Sequence, residues 1–236
     1  MHTKLGIPYW YHSLANYTFI TSFIKLNSSE MAAIADDELS SPAASEIIRK
    51  LTFPMKSISG NAFVCVDSAA PTDTERFENK SGAVFSPESA LMVLAESLKV
   101  RTSIMSGASS FICIRPFRRM NHSREFRLFI KDGKLVGMSQ YWLNKYFRKL
   151  SGSSSVYWQM ADDFINEIAW LLPLNTLVVD IYFTSGGEIL IVDMNQWGLP
   201  VDPLLFISWD NDWASAGGIR LIAPPMRISG NVNVSF

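Results

Sequence analysis

Residues 177–198 read "LVVDIYFTSGGEILIVDMNQWG", two apolar runs flanking a Gly-Gly, and each run carries an aspartate in its interior. Such runs fold as a hairpin, because β-branched and aromatic residues suit a pleated surface and the glycines suit the turn. A carboxylate inside such a strand must lose water without compensation, so one feature constrains both fold and site. A two-residue turn at Gly186 and Gly187 sets Asp180 opposite Asp193 on one face, with Asn195 two residues further along that face. Facing carboxylates repel unless something positive separates them, and magnesium takes oxygen ligands of this kind together with substrate phosphates. The same residues admit a plainer reading. One aspartate is then solvated at a strand end or paired with an arginine, or a one-residue slip of the turn separates the two.

A second hairpin precedes this one, "EFRLFIKDGKLVGMSQYW" at 125–142, where Asp132-Gly133 is a type I′ turn signal. Its two-residue turn opposes Arg127 to Met138 and Glu125 to Gln140. Glu125, Arg127 and Phe129 fall on one face, and Phe126, Leu128 and Ile130 on the other. Arg127 closes a basic stretch that also holds Arg115, Arg118, Arg119 and Arg124. Guanidinium forks donate two hydrogen bonds at once and suit phosphate. Most of that stretch reads as a solvated loop, but Arg127 sits in an apolar strand and faces a polar cleft. Acidic metal ligands opposite arginines across a cleft make a nucleotide triphosphate site.

Strands are expected over 18–26, 62–67 and 109–117, and a short helix with a loop over 27–45. A helix starts at Ser86, a good N-cap, with Pro87 at its first position and Leu91, Leu94 and Leu98 on one face. Another helix is expected over 158–171. The tail after "WDNDW" reads as a helix or loop and then a strand. Strands with intervening helices and two late hairpins give an α+β or mixed α/β fold. The net charge of −1 offers no electrostatic case for nucleic acid or an anionic membrane as a bulk partner. No apolar run approaches the ~20 residues of a membrane span, and the N-terminus lacks a basic segment followed by an apolar stretch. A cytoplasmic protein is the simplest expectation, with Cys65 and Cys113 as buried free thiols. The chain has no Walker-type phosphate loop, no Gly-x-Gly-x-x-Gly, no Gly-x-Ser-x-Gly and no paired-cysteine zinc spacing.

"SREFRLFIKDGKLVGMSQYW", "VVDIYFTSGGEILIVDMNQWG" and "VDPLLFISW" together resemble the cell division cycle protein 123 family. That family typically reads Glu-Phe-Arg, a Ser-Gln after the hairpin, Asp-Ile-Tyr, Asp-x-Asn and Asp-x-Leu-Leu-Phe-x-Trp. "FICIRPF", "FVCVDSAAPTDT" and "PYWYHSLANYTFITSFIKL" extend the likeness upstream over nearly the whole chain. The resemblance implies an ATP-grasp-like fold in which two lobes hold ATP and Mg2+ in a cleft between them. In one ATP-grasp-like unit over 1–236, the smaller lobe would span roughly 56–117 and the metal-bearing lobe 118–222. Residues 1–55 would pack on both as an N-terminal extension.

By the same resemblance Asp180, Asp193 and Asn195 would hold magnesium and phosphate. Arg115 and Phe117 would lie near the nucleotide, Glu125 and Arg127 near ribose and phosphates, and Asp73 would match an aspartate of an upstream loop. The implied role is that of an assembly factor for translation initiation factor two, with nucleotide and a protein partner. Two alternatives are an ATP-dependent ligase that activates a carboxylate as an acyl phosphate, and a degenerate ATP-grasp scaffold that binds only protein. Three cationic positions of the family are lost here, replaced by Cys65, Pro116 and Tyr141. Fewer cations weaken the hold on a triphosphate.

Overall fold

The computed structural model describes residues 4–215 and 217–225. The helices are α1 (Ile7–Leu14), α2 (Ser28–Ala35), α3 (Pro42–Lys56), α4 (Glu75–Lys80), α5 (Pro87–Glu96), α6 (Leu98–Met105), α7 (Arg148–Ser151) and α8 (Ser154–Ile168). The strands are β1 (Ser22–Lys25), β2 (Ala62–Val66), β3 (Phe111–Pro116), β4 (Glu125–Lys131), β5 (Lys134–Gln140), β6 (Leu177–Phe183), β7 (Ile189–Asn195) and β8 (Ile219–Arg220). They form two sheets. The smaller is antiparallel with order β1-β3-β2, and the larger runs β7-β6-β4-β5-β8 with only the β5–β8 pair parallel. This is the mixed α/β architecture expected from the sequence.

Strand alternation sorts the smaller sheet. Ile24, Val64, Val66, Ile112 and Ile114 pack into one cluster with residues of α2, α3, α5 and α6. On the opposite face, Cys65 and Cys113 lie directly across from one another as buried free thiols and join the other large cluster. The N-terminal residues are stitched into both sheets. β1 is an edge strand of the smaller one, while the Thr18 hydroxyl donates to the Ile191 carbonyl at 2.7 Å on the larger. The strand expected over 18–26 is therefore only Ser22–Lys25.

The helix at Ser86 begins as its cap predicts, with the Ser86 hydroxyl accepting from the Ser89 N–H at 3.2 Å. Leu91 and Leu94 are buried, but Leu98 is 70 % exposed. The chain turns extended at Ser97, which caps a new helix, so Leu98 no longer shares the face that periodicity assigned to it. The 15-residue helix α3 begins inside the loop expected up to residue 45 and runs on through residues for which no element is expected. The expected tail strand is two residues long, and residues beyond 225 lie outside those described.

In the larger sheet Phe126, Leu128, Ile130, Leu177, Val179 and Ile181 share a cluster with Ala161, Phe164, Ile165 and Ile168 of α8. On the other face Phe129 and Val178 pack with Phe206 and Trp213, and Glu125, Arg127 and Asp180 are buried beside them. The turn of the β4–β5 hairpin is as expected, with φ of 53° at Asp132 and 75° at Gly133. Its register is not. A bulge in β5 shifts the pairing, so that Arg127 faces Ser139, Leu128 faces Met138 and Phe126 faces Gln140. The physical reason is that Leu135 and Met138 both belong to the α8-side core. Residues three apart cannot share a face of a regular strand, and one extra residue restores the match.

Gly137, just past that bulge, lies opposite Phe129, and a Cβ there would meet Phe206 Cζ at 2.8 Å and Trp213 Cζ3 at 3.1 Å. Gly137→Ala is therefore expected to destabilise the protein by about 1–3 kcal/mol, as overpacked cores do. Denaturant unfolding measures it, and an unchanged midpoint would contradict the close aromatic packing.

Candidate functional site

Asp180 and Asp193 stand opposite one another in β6 and β7, but the turn that aligns them differs from the expected one. The hairpin closes with the Thr184 N–H donating to the Glu188 carbonyl at 2.8 Å, which leaves three residues in the loop instead of two. That slip alone would separate the aspartates. A bulge at Val192 reverses it, because Ile191 pairs with Ile181 and Asp193 with Asp180. Ile191 and Met194, three residues apart, both face the α8-side core, so the same parity conflict produces the bulge.

The Val192 carbonyl accepts from Arg115 Nη1 at 3.0 Å. Arg115 stands at the end of β3 in the smaller sheet and is only 5 % exposed. Its Nε donates to the Thr21 hydroxyl at 3.1 Å, and its guanidinium carbon lies 5.7 Å from the centre of the Phe19 ring. Its Nη2 is buried with no hydrogen-bond partner. A buried guanidinium with an unused donor is costly unless something accepts from it. The charge beside it is Asp193, whose carboxyl Arg115 helps to hold down.

Arg127 and Asp180 form a bidentate pair across β4 and β6. Nε reaches Oδ1 at 2.7 Å and Nη2 reaches Oδ2 at 2.8 Å, with each side chain 9 % exposed. Arg127 Nη1 donates to the Asp202 carbonyl at 2.8 Å, and the guanidinium lies 5.3 Å from the Tyr141 ring centre. Asp193 has weaker company: one oxygen accepts from the Met194 N–H at 2.9 Å, and the Asn195 amide nitrogen lies 3.5 Å from the other. Burial, and then the neighbouring Asp180, push the Asp193 carboxyl up to about 7, against the pull of the Met194 N–H, Arg115 and Arg127. Glu125 is also pushed up to about 7 by burial, with Trp142 pulling it down and Asp180 adding to the rise. Beside these residues a cavity of about 400 Å³ is lined by Arg118, Arg119, Tyr182 and residues of the 184–188 loop. Tyr182 is two residues from Asp180 on β6, so the cavity continues the same face.

The fold thus gathers Arg115, Glu125, Arg127, Asp180, Asp193 and Asn195 where the two sheets meet. Phe117 is the first residue after β3, its N–H donating to the Asn61 carbonyl at 2.9 Å. Asp73 has another employment. Burial raises its carboxyl, but the Ser97 hydroxyl and the Lys99 N–H at the start of α6 hold it below the usual range. Thr21 and the Val192 carbonyl join the site without any local signal, whereas Tyr141, the ring over Arg127, and Asp202 lie in stretches that carry the family resemblance. Each meets its partner only through tertiary structure.

Among the described residues no group of three or more His, Cys, Asp or Glu side chains could hold a metal by itself. The oxygens present suit a hard cation whose coordination is completed by ligand phosphates and water, the usual situation for magnesium. The buried free donor of Arg115 suits an oxyanion. The donor set therefore fits a cation carried in with a phosphate ligand.

A family model described as D123 matches residues 95–214, just over half of the chain. The chain belongs to the D123 family. A relative named "Translation initiation factor eIF2 assembly protein", from Vanderwaltozyma polyspora, is 34% identical over 100 residues, covering 42% of this chain and 27% of its own. "Cell division cycle protein 123" from Candida glabrata is 31% identical over 101 residues, covering 42% and 28%. The matched stretch thus spans less than a third of either relative's length. Among solved structures, Cdc123 from Schizosaccharomyces pombe superposes with a TM-score of 0.82 at 20% identity, covering 94% of this chain and 96% of that one. This D123-family chain therefore has the Cdc123 fold. No helix among its described residues is long and apolar enough to cross a membrane.

Proposed function

We propose that this chain binds a nucleoside triphosphate together with a divalent cation, in the ATP-grasp manner, and acts as an assembly factor for translation initiation factor eIF2. The observation that carries the nucleotide half is Arg115: buried, anchored by Thr21 and the bulged Val192 carbonyl, with an unused Nη2 donor beside Asp193. In this reading Arg115 donates to a phosphate, Asp193 and Asn195 offer oxygens to Mg2+, and the cavity beyond Tyr182 takes the remainder of the nucleotide. Bound magnesium would neutralise phosphate charge, and the chain's own groups would fix where that charge sits. The names of the relatives support the assembly half.

Calorimetric titration of ATP with and without Mg2+ tests the site. Magnesium-dependent binding is expected for the wild type and none for Asp193→Ala. Arg115→Met is expected to weaken binding about 10- to 100-fold, the worth of one hydrogen bond to a charged group. Wild-type protein that binds no ATP would defeat the nucleotide half. Bound ATP without capture of any subunit of purified eIF2 by the immobilised chain would defeat only the assembly half.

A further inference from the structure

We infer that Cys65 and Cys113 are a redox pair: a peroxide joins them as a disulfide across β2 and β3, a dithiol reopens it, and the bond weakens the anion site at Arg115. The pairing itself is independent of the function proposed above, while its effect on the site rests on the nucleotide half of that proposal.

The chain has two cysteines, and the fold sets them directly opposite each other in neighbouring antiparallel strands. Both are free, and their thiols are hydrogen-bonded to one another. Cys65 is 2 % exposed and Cys113 is fully buried, so each has the other, and not a second chain, as its thiol partner. Cys65 lies on β2, an outer strand of the smaller sheet, whereas Cys113 lies on the central strand. An oxidant therefore meets Cys65 first. Its sulfur attacks one peroxide oxygen, the O–O bond breaks, and the leaving hydroxide takes up the thiol proton and departs as water. The Cys113 sulfur then attacks the sulfur of the resulting sulfenic acid, forming the S–S bond and expelling the hydroxyl as a second water. The pair gives up two electrons and two protons, and the peroxide is reduced to water.

The geometry makes this bond a switch rather than a permanent staple. Directly opposed residues of an antiparallel pair hold their Cβ atoms about 4.5–5.5 Å apart, whereas a disulfide draws them to about 3.8 Å. β2 and β3 must therefore close up by about 1 Å at this point. A disulfide strained in this way is easily reduced again. The closure also reaches the site. Arg115 is two residues beyond Cys113, so both side chains leave the same face of β3. The Arg115 guanidinium is held by the Thr21 hydroxyl and, on the larger sheet, by the Val192 carbonyl, with Nη2 left for an oxyanion. Drawing β3 towards β2 pulls that donor away from an anchor fixed on the other sheet.

The test exposes the reduced chain to hydrogen peroxide, quenches it with catalase, then unfolds and alkylates it and maps its tryptic peptides. Cys65 is expected to be joined to Cys113 before Met105, which is 74 % exposed, becomes a sulfoxide. Dithiothreitol is expected to restore both alkylation sites. Thiols still alkylated once Met105 is oxidised would overturn the pair, as would separate sulfinic acids or disulfide-linked dimers. The cross-linked chain is expected to bind ATP with Mg2+ about tenfold more weakly, the worth of one hydrogen bond to a charged group. Dithiothreitol, which leaves methionine sulfoxide untouched, is expected to restore the affinity. Unchanged affinity in the fully cross-linked chain would overturn the link to Arg115. A reduced chain that binds no ATP would defeat the proposed function itself, and the peptide map would still decide the pair.

Discussion

Asp180→Ala is expected to lower the unfolding free energy by about 3–5 kcal/mol, because it leaves the Arg127 guanidinium charged, buried and unpaired. The carboxylate lost is the one that accepts both Nε and Nη2, and water reaches only 9 % of either side chain. The remaining Asp202 carbonyl can satisfy one donor but cannot neutralise the charge. Exposed ion pairs in proteins are worth only about 0–1 kcal/mol, so the size of the effect separates a buried clamp from a surface contact. Removing both ions together is expected to cost much less than removing Asp180 alone, since no charge is then stranded. A double-mutant cycle in urea reads both. A loss below about 1 kcal/mol for Asp180→Ala would mean that Arg127 escapes to solvent.

The second large effect is in pH. Glu125 is pushed from its ordinary value of 4.5 up to about 7, mainly by burial. Between those values the folded chain keeps a proton that the unfolded chain has released, so stability falls as pH rises through that window. Each pH unit there removes about 1.4 kcal/mol, and the whole window about 3–4 kcal/mol. Below about pH 4.5 both states are protonated and the penalty vanishes. Glu125→Gln keeps the shape without the charge. It is therefore expected to match the wild type near pH 4 and to exceed it by about 3–4 kcal/mol near pH 8. Parallel stability curves for the two proteins would show that Glu125 ionises normally in the fold. Asp193, raised in the same direction, gives both proteins a shared slope of the same sign, so the difference between them isolates Glu125.

The two bulges mark where a reading of the sequence went right and where it failed. Face assignment held in β4, with Phe126, Leu128 and Ile130 in one cluster and Phe129 in another. Turn geometry held at Asp132-Gly133 and failed at Gly186-Gly187. The opposition of Asp180 to Asp193 was correct because two departures cancelled, a longer loop and an extra residue at Val192. In β5 only one departure occurred, and Arg127 faces Ser139 instead of Met138. In both strands the cause is the demand of the α8-side core for two residues spaced by three. Within "KLVGMSQ" or "ILIVDMN" every candidate residue is apolar, so the sequence does not say which of them that core takes.

What the sequence by itself determined is local and periodic. It specified the strand faces, the capped start at Ser86, the buried cysteines, and the carboxylates and arginine placed on one face of apolar strands. Those follow from backbone geometry and the cost of burying charge, which act over a few residues. Tertiary structure decided how the charges are used. Arg127 finds Asp180 across 53 positions, and Arg115 finds Thr21 across 94 and Val192 across 77. A guanidinium in a strand needs an acceptor, but nothing nearby in the chain says whether that acceptor is a carboxylate, a bulged carbonyl or a phosphate. Strand pairing within the larger sheet gives Arg127 an internal partner, while the packing of one sheet against the other leaves Arg115 with a donor to offer.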